Sequence, residues 1–353
     1  MKWLEARFKE DLSSEENLAV SNGQVVIRSR SWTAAELIDL IGVQDENGKN
    51  LLLDEMFDDW LAEYKERQIE LADDILRRFE LEDRFRRLSE AHRAHNVIPF
   101  VGAGLSMPSG YPSWTRFLQK QRKQTAISEV DFEALLEQGE YEQAAQQIAN
   151  AQGVAFNEAV DNTFGCTRDL HGPIEMLPYV FPDSVVTTNF DNTLDRIYQN
   201  AGRPFTEKLT GADSHQIRRQ MLAECRILLM LHGKATSGRG RILTQMEYDQ
   251  HYIDGVTLAS TIHAICDSRN LLFLGCSLTV DRTLAAIKAR VAEVGHDNLP
   301  RHYAFLEEPE TEQIRIRRQA ELAECHIYPI WFPAETHNES IEALLVKLQE
   351  ASQ

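Results

Sequence analysis

Four short segments place hydrogen-bonding or ionisable groups directly after apolar runs. "VIPFVGAGLS" ends on Gly102, Ala103, Gly104 and Ser106, and "VVTTNFDNTLD" carries Thr188, Asn189 and Asp191. "LLMLHGK" sets His232 before a glycine, and "LLFLGCSLTVD" offers Gly275 and Ser277. Two glycines let a backbone approach a pyrophosphate closely, and a helix following them aims free amides at the anion. The same glycines would equally serve a tight turn that binds nothing. Asn189 and Asp191 are two apart, so in a continuing strand an amide and a carboxylate project to one side. Asp191 or Asn192 would also cap a helix starting at "NTLDRIY". A neutral imidazole at His232 accepts a proton near pH 7, although a lone histidine serves as readily in a core.

The elements that must position these groups alternate strand and helix from about residue 95. That alternation predicts an α/β fold, a Rossmann-like and mostly parallel sheet covered on both faces. The candidate strands are "NVIPFVG", "SVVTTNF", "RILLMLHG", "NLLFLGCS", "HYAFLEE" and "CHIYPIWF". In such a sheet the ligand crevice lies beyond the carboxyl ends of the strands, where all four segments fall. Residues of about 116–182 read as helical throughout and predict a lobe inserted after the first strand and its helix, the second wall of a cleft.

Before residue 95 the character differs, which predicts a mainly helical extension over 1–94 and a ligand-binding domain over 95–353. "QVVIRSRSW" alternates like a short strand, and Leu37, Ile38 and Ile41 have helical spacing up to the turn residues "QDENGKN". From Phe57 and Trp60 to Phe79 and Leu88 apolar residues recur every three or four positions, as one long amphipathic helix or two. Such an arm either lies across its own domain or supplies a subunit or partner interface.

Composition limits the function classes. The 353 residues carry 37 Lys and Arg against 55 Asp and Glu, a net charge of −18 that argues against general nucleic-acid affinity. No apolar run is long enough to span a bilayer or serve as a signal peptide, so a soluble, cytoplasmic protein is expected. The five cysteines, Cys166, Cys225, Cys266, Cys276 and Cys325, are widely spaced with no C-x-x-C pair, as suits reduced core thiols.

Taken in this order, the four segments resemble the sirtuin family. "GAGLSMPSGYPSW" is similar to its glycine-alanine-glycine-x-serine loop with a downstream glycine-x-proline. "TTNFD", "LHG" and "GCSL" resemble its asparagine-aspartate, histidine-glycine and glycine-x-serine elements. The resemblance runs over about residues 95–335. It implies NAD over a Rossmann-like sheet, with Gly102, Ala103, Gly104 and Ser106 at the phosphates and nearby ribose. It also implies Asn189 orienting the nicotinamide ribose or a water, with Thr188 beside it. Asp191 would meet the carboxamide region, His232 would act as base at a ribose hydroxyl, and Gly275 and Ser277 would lie toward the adenine ribose.

The departures direct the functional expectation. Sirtuin deacylases hold a structural zinc on two C-x-x-C pairs, whereas the cysteines here are separated by 59, 41, 10 and 49 residues, so no zinc is expected. The family's aspartate-phenylalanine-arginine is replaced by Ser113, Trp114 and Thr115, with Arg116 next, which makes Trp114 and Arg116 candidates for the nicotinamide clamp. The chain most resembles the bacterial sirtuin-like NAD hydrolases of anti-phage defence. This implies NAD as substrate, cleavage to nicotinamide and ADP-ribose, a homo-oligomer and a HerA-like ATPase as a possible partner. The alternatives are a non-catalytic NAD or ADP-ribose sensor, an NAD-dependent protein deacylase and a dehydrogenase. The last lacks the acidic residue expected about twenty positions after the glycine turn.

Overall fold

The computed structural model describes residues 2–12, 24–27, 30–42, 50–211, 225–237, 240–252, 258–278 and 282–352. The chain divides into two compact units, Met1–Leu71 and Ala72–Gln353. The division falls inside the long helix Leu51–Arg78. The following helix Glu82–Arg93 therefore belongs with the second unit, where His92 Nε2 lies 2.7 Å from the Val180 carbonyl and the Arg84 guanidinium donates to the Pro329 carbonyl.

In the first unit "QVVIRSRSW" is not one strand but two. β1 (Gln24–Ile27) pairs antiparallel with β2 (Arg30–Thr33), Gln24 opposite Thr33. Thr33 then starts helix Ala34–Ile41 with a reciprocal cap: its hydroxyl accepts from the Glu36 amide while the Glu36 carboxylate accepts from the Thr33 amide. Phe8, Phe57, Trp60 and Tyr64 form an aromatic cluster, with Trp60 and Tyr64 stacked at 5.2 Å. Most of the "QDENGKN" turn lies outside the described residues.

The second unit is built on seven parallel strands. They are β3 (Val97–Val101), β4 (Val185–Thr187), β5 (Glu207–Thr210), β6 (Ile227–Met230), β7 (Asn270–Leu274), β8 (His302–Glu307) and β9 (Ile327–Phe332). Their spatial order is β5-β6-β4-β3-β7-β8-β9, and every pairing is parallel. β3, β4 and β6 are buried along their whole length, as strands covered on both faces must be, which is why β3 and β6 read as unbroken apolar runs and β4 departs from one only at Thr187. All six candidate strands are present. β5 was not foreseen, because "EKLT" is polar and forms the sheet's edge beside β6 alone.

Strand order diverges at β3: the chain adds β4 on one side and later β7 on the other. This is the topological switch point, where a crevice opens beyond the carboxyl ends of adjacent strands. Between β3 and β4 the helices Trp114–Arg122, Glu129–Glu137, Tyr141–Gln152 and Val154–Phe164 form the inserted lobe. Their facing sides share a core of Phe117, Phe132, Ile148, Phe156 and Val160. Among the described residues, no helix is long and apolar enough to cross a membrane.

Candidate active site

The β3 turn and the β7 turn are stapled together. Gly102 N donates to the Leu274 carbonyl and Gly104 N to the Gly275 carbonyl, both at 2.9 Å. A Cβ on Gly102 would sit 2.5 Å from the Gly275 carbonyl oxygen, and one on Gly275 would sit 2.5 Å from Leu105 N. Gly275 also has φ +65°, which an L side chain rarely adopts. These glycines thus exist first so that two loops can pack backbone to backbone. The amides of Gly102 and Gly104 are thereby committed to the end of β7 and the turn that follows it. The expected α-helix does not follow at once. A 3-10 helix, Ala103–Ser109, follows Gly102, then a left-handed turn at Gly110, and only Ser113 caps the helix beginning at Trp114.

β4 ends at Thr187, so strand alternation does not place Asn189 and Asp191. Hydrogen bonds place them instead. Thr187 Oγ1 donates to the Val101 carbonyl at 2.8 Å and accepts from Asn189 N at 3.0 Å. Asn189 Nδ2 donates to the Gly102 carbonyl at 3.0 Å and to Ser106 Oγ at 3.1 Å. With both amide hydrogens used, Oδ1 is the atom left to accept from a bound hydroxyl or water. Asp191 Oδ1 accepts from Thr193 N at 2.9 Å, opening helix Thr193–Asn200. The N-cap itself is Asn192, whose side chain makes no cap hydrogen bond, so Asp191 supplies this first-turn contact from one position earlier while bordering the crevice.

His232 follows β6, and its main chain is pinned. Its carbonyl accepts from Ile242 N at 3.0 Å, and Gly233 turns with φ +76°, where a Cβ would meet the Gly240 carbonyl oxygen at 2.4 Å. Ala235 N donates to the Phe190 carbonyl, tying this loop to the one bearing Asn189. The imidazole is partly open to the crevice, yet protein surrounds it closely enough that burial pushes its pKa down to about 4. At neutral pH it is uncharged and able to take a proton.

These groups line one cavity of about 690 Å³, within the range of small-molecule sites. Gly102, Ala103, Gly104, Ser106, Trp114, Thr188, Asn189, Asp191, His232, Gly275 and Ser277 all border it. Trp114 stacks on Phe117 at 5.3 Å and forms an aromatic wall with Phe164 and Phe190. Arg116 does not join them. Its amide donates to the Ser113 cap, and its side chain lies on the exposed face of the helix, outside the cavity lining.

Several lining residues escaped the sequence reading. Tyr111 donates its hydroxyl to the Cys166 carbonyl at 2.7 Å. Glu142 comes from the lobe, and Tyr248 comes from helix Gln245–Tyr252. At the far end Glu307 closes β8 and meets His337 Nδ1 at 2.6 Å, while Arg318 donates to the Ser277 carbonyl at 3.0 Å. Glu307 could have been flagged, since it ends an apolar strand as His232 nearly does. The others gave no local signal. No disulfide joins the five cysteines, and among the described residues no group of three or more His, Cys, Asp or Glu side chains is placed to hold a metal ion.

Comparison with known proteins bears on this geometry. The SIR2-like domain family model matches residues 183–330, from just before β4 to within β9, and so includes Asn189, Asp191, His232, Gly275 and Ser277. The β3 turn precedes the matched segment. Defense-associated sirtuin 2 of Bacillus subtilis is 26% identical over 203 residues, covering 54% of this chain and 19% of that protein. NAD(+) hydrolase ThsA of Enterococcus faecium is 24% identical over 223 residues, covering 63% and 45%. ThsA of Acinetobacter baumannii (strain 532279) is 24% identical over 212 residues, covering 60% and 42%. The chain thus spans less than half the length of these relatives. The segment from β4 into β9, which supplies most of the strand ends around the switch-point cavity, is thus similar to a SIR2-like domain.

Proposed function

We propose that the protein is an NAD glycohydrolase that cleaves NAD to nicotinamide and ADP-ribose in bacterial anti-phage defence. The observation that carries this is the meeting of Asn189, Asp191 and a neutral His232 in one cavity at the switch point. The names of the relatives, NAD(+) hydrolase and defence-associated sirtuin, support the same reading.

In this mechanism the bond from the ribose anomeric carbon to the nicotinamide nitrogen breaks, and its electron pair leaves with nicotinamide. Positive charge then develops on the ribose, which the Asp191 carboxylate stabilises electrostatically. Asn189 Oδ1 accepts from a ribose hydroxyl or the incoming water and fixes its direction. Water adds to the anomeric carbon, and His232 takes the proton released. NAD and water yield ADP-ribose, nicotinamide and a proton. Ala103 and Ser106, on the short helix after β3, face the phosphates and nearby ribose, and the Trp114 wall excludes solvent from the nicotinamide end. The site uses no zinc.

The protein acts in the cytoplasm, with the extension over 1–94 providing homo-oligomer or partner contacts, a HerA-like ATPase being the candidate partner. Incubation of the full-length protein with NAD tests the activity. Release of nicotinamide and ADP-ribose is expected. Binding without turnover in every assembly state would instead identify a sensor, and acetyl-ADP-ribose from an acetylated peptide a deacylase.

A further inference from the structure

The main chain of His232 is held by its own turn, but a pinned backbone does not set the rotation of the ring. One ring neighbour is Phe190, with centroids 6.4 Å apart, which offers no hydrogen bond. The polar neighbour is Tyr248. Its hydroxyl lies 3.3 Å from both Nδ1 and Nε2, and the rings meet edge to face at 5.2 Å and 75°. A phenol can donate to the bare nitrogen of a neutral imidazole and accept from an imidazolium, so this contact serves the ring before and after it gains a proton.

Tyr248 is itself fixed from two sides. The start of its helix is tied to the loop after His232, because Glu247 Oε2 accepts from Leu243 N and Thr244 N, both at 2.9 Å. On its other flank the Arg282 guanidinium lies over its ring, 5.3 Å from the centroid. Arg282 in turn pairs with Glu142 of the inserted lobe and with Asp249, both at 2.7 Å. One guanidinium thus meets two carboxylates, a grouping of net negative charge behind the phenol. Burial raises the Glu142 carboxyl, and its bond to Arg282 draws it back toward the ionised form.

We propose that Tyr248, backed by the Arg282 pairing with Glu142 and Asp249, is the positioning residue for His232, locking the imidazole in the orientation in which it accepts the proton. The inserted lobe therefore contributes to the chemistry through Glu142, paired with Arg282 at the start of helix Arg282–Val294, beyond walling the cavity. This inference rests on the glycohydrolase reading for the meaning of the orientation, but the orientation itself can be measured without turnover.

The test uses full-length Tyr248→Phe with two readouts. In NAD hydrolysis, kcat should fall at least tenfold while KM stays within about twofold, because the phenyl ring preserves the cavity wall and loses only the hydroxyl. In parallel, deuterium exchange at the imidazole Cε1 position, followed by mass spectrometry, should speed up severalfold for His232 and not for the fully buried His302. Arg282→Lys, which keeps the charge and loses the planar contact with the ring, should move both readouts in the same direction by less. Wild-type kcat in Tyr248→Phe, or an unchanged His232 exchange rate, would overturn the proposal. If the unsubstituted protein releases no nicotinamide under any condition, the glycohydrolase reading fails, and the exchange rates still decide whether Tyr248 holds His232.

Discussion

Asn189 donates both hydrogens of its side-chain amide across the switch point, 3.0 Å to the Gly102 carbonyl and 3.1 Å to Ser106 Oγ. The β4 loop is thereby fastened to the β3 turn, and one amide couples the turn proposed to hold the dinucleotide to the loop proposed to act on it. Asn189→Asp exchanges two donors for an acceptor facing the Gly102 carbonyl. The variant should lose at least a hundredfold in kcat/KM for NAD hydrolysis and about 1–3 kcal/mol of stability. Kinetics and urea denaturation of the purified variant read the two effects separately.

Gly275 is required by its close approach and by its backbone. A methyl group there would press on Leu105 N at a left-handed φ of +65°. Gly275→Ala should destabilise the second unit by about 1–3 kcal/mol and weaken NAD binding together with it. Thermal unfolding with and without NAD checks this. A variant with unchanged melting temperature would show that the two loops are not packed as described.

Arg116 and Trp114 separate a local spacing argument from the folded geometry. Trp114 borders the cavity, whereas Arg116 is exposed on the far side of the same helix start. Arg116→Ala should leave kcat and KM for NAD within about twofold of wild type. Trp114→Ala opens the aromatic wall and should raise KM severalfold. Steady-state kinetics of the pair decides between clamp and bystander.

Two histidines held by burial far below their ordinary pKa set the acid limits. His232 is held down at about 4 and His302 at about 3, each first by burial, with His326 adding repulsion at His302. The unfolded chain takes up these protons near pH 6.5 and the folded one does not, so unfolding is favoured as pH falls from about 6.5 toward 4. Denaturant midpoints should therefore drop between pH 7 and pH 5, and His302→Asn should flatten that slope. Activity depends instead on His232 remaining neutral, so it should persist down to about pH 5 and fall as pH passes through about 4.

Much of the sheet was legible because strands buried on both faces must be largely apolar, as β3 and β6 are throughout, β4 is up to Thr187 and β7 is after Asn270. β5 was not, since an edge strand with polar side chains leaves no such run. The candidate site residues were legible from their place at strand ends, and Asn189, Asp191 and His232 line one cavity. What the sequence could not carry was any contact between distant elements. Tyr248 reaches His232 across 16 residues, and Arg282 reaches Glu142 across 140, so neither pairing leaves a periodic trace. Arg116 misled because a residue three positions past a cap is set by helix geometry, which turned it outward.

In the proposed reaction the cavity cleaves NAD with His232 as base. Incubating NAD with full-length protein and with His232→Ala, with and without a candidate ATPase partner, and separating the products by chromatography tests it directly. Equal release of nicotinamide and ADP-ribose by the wild-type chain, with loss of at least a hundredfold in His232→Ala, is the predicted result. Cleavage by His232→Ala at the wild-type rate, or intact NAD after incubation with wild type in every assembly state, would contradict it.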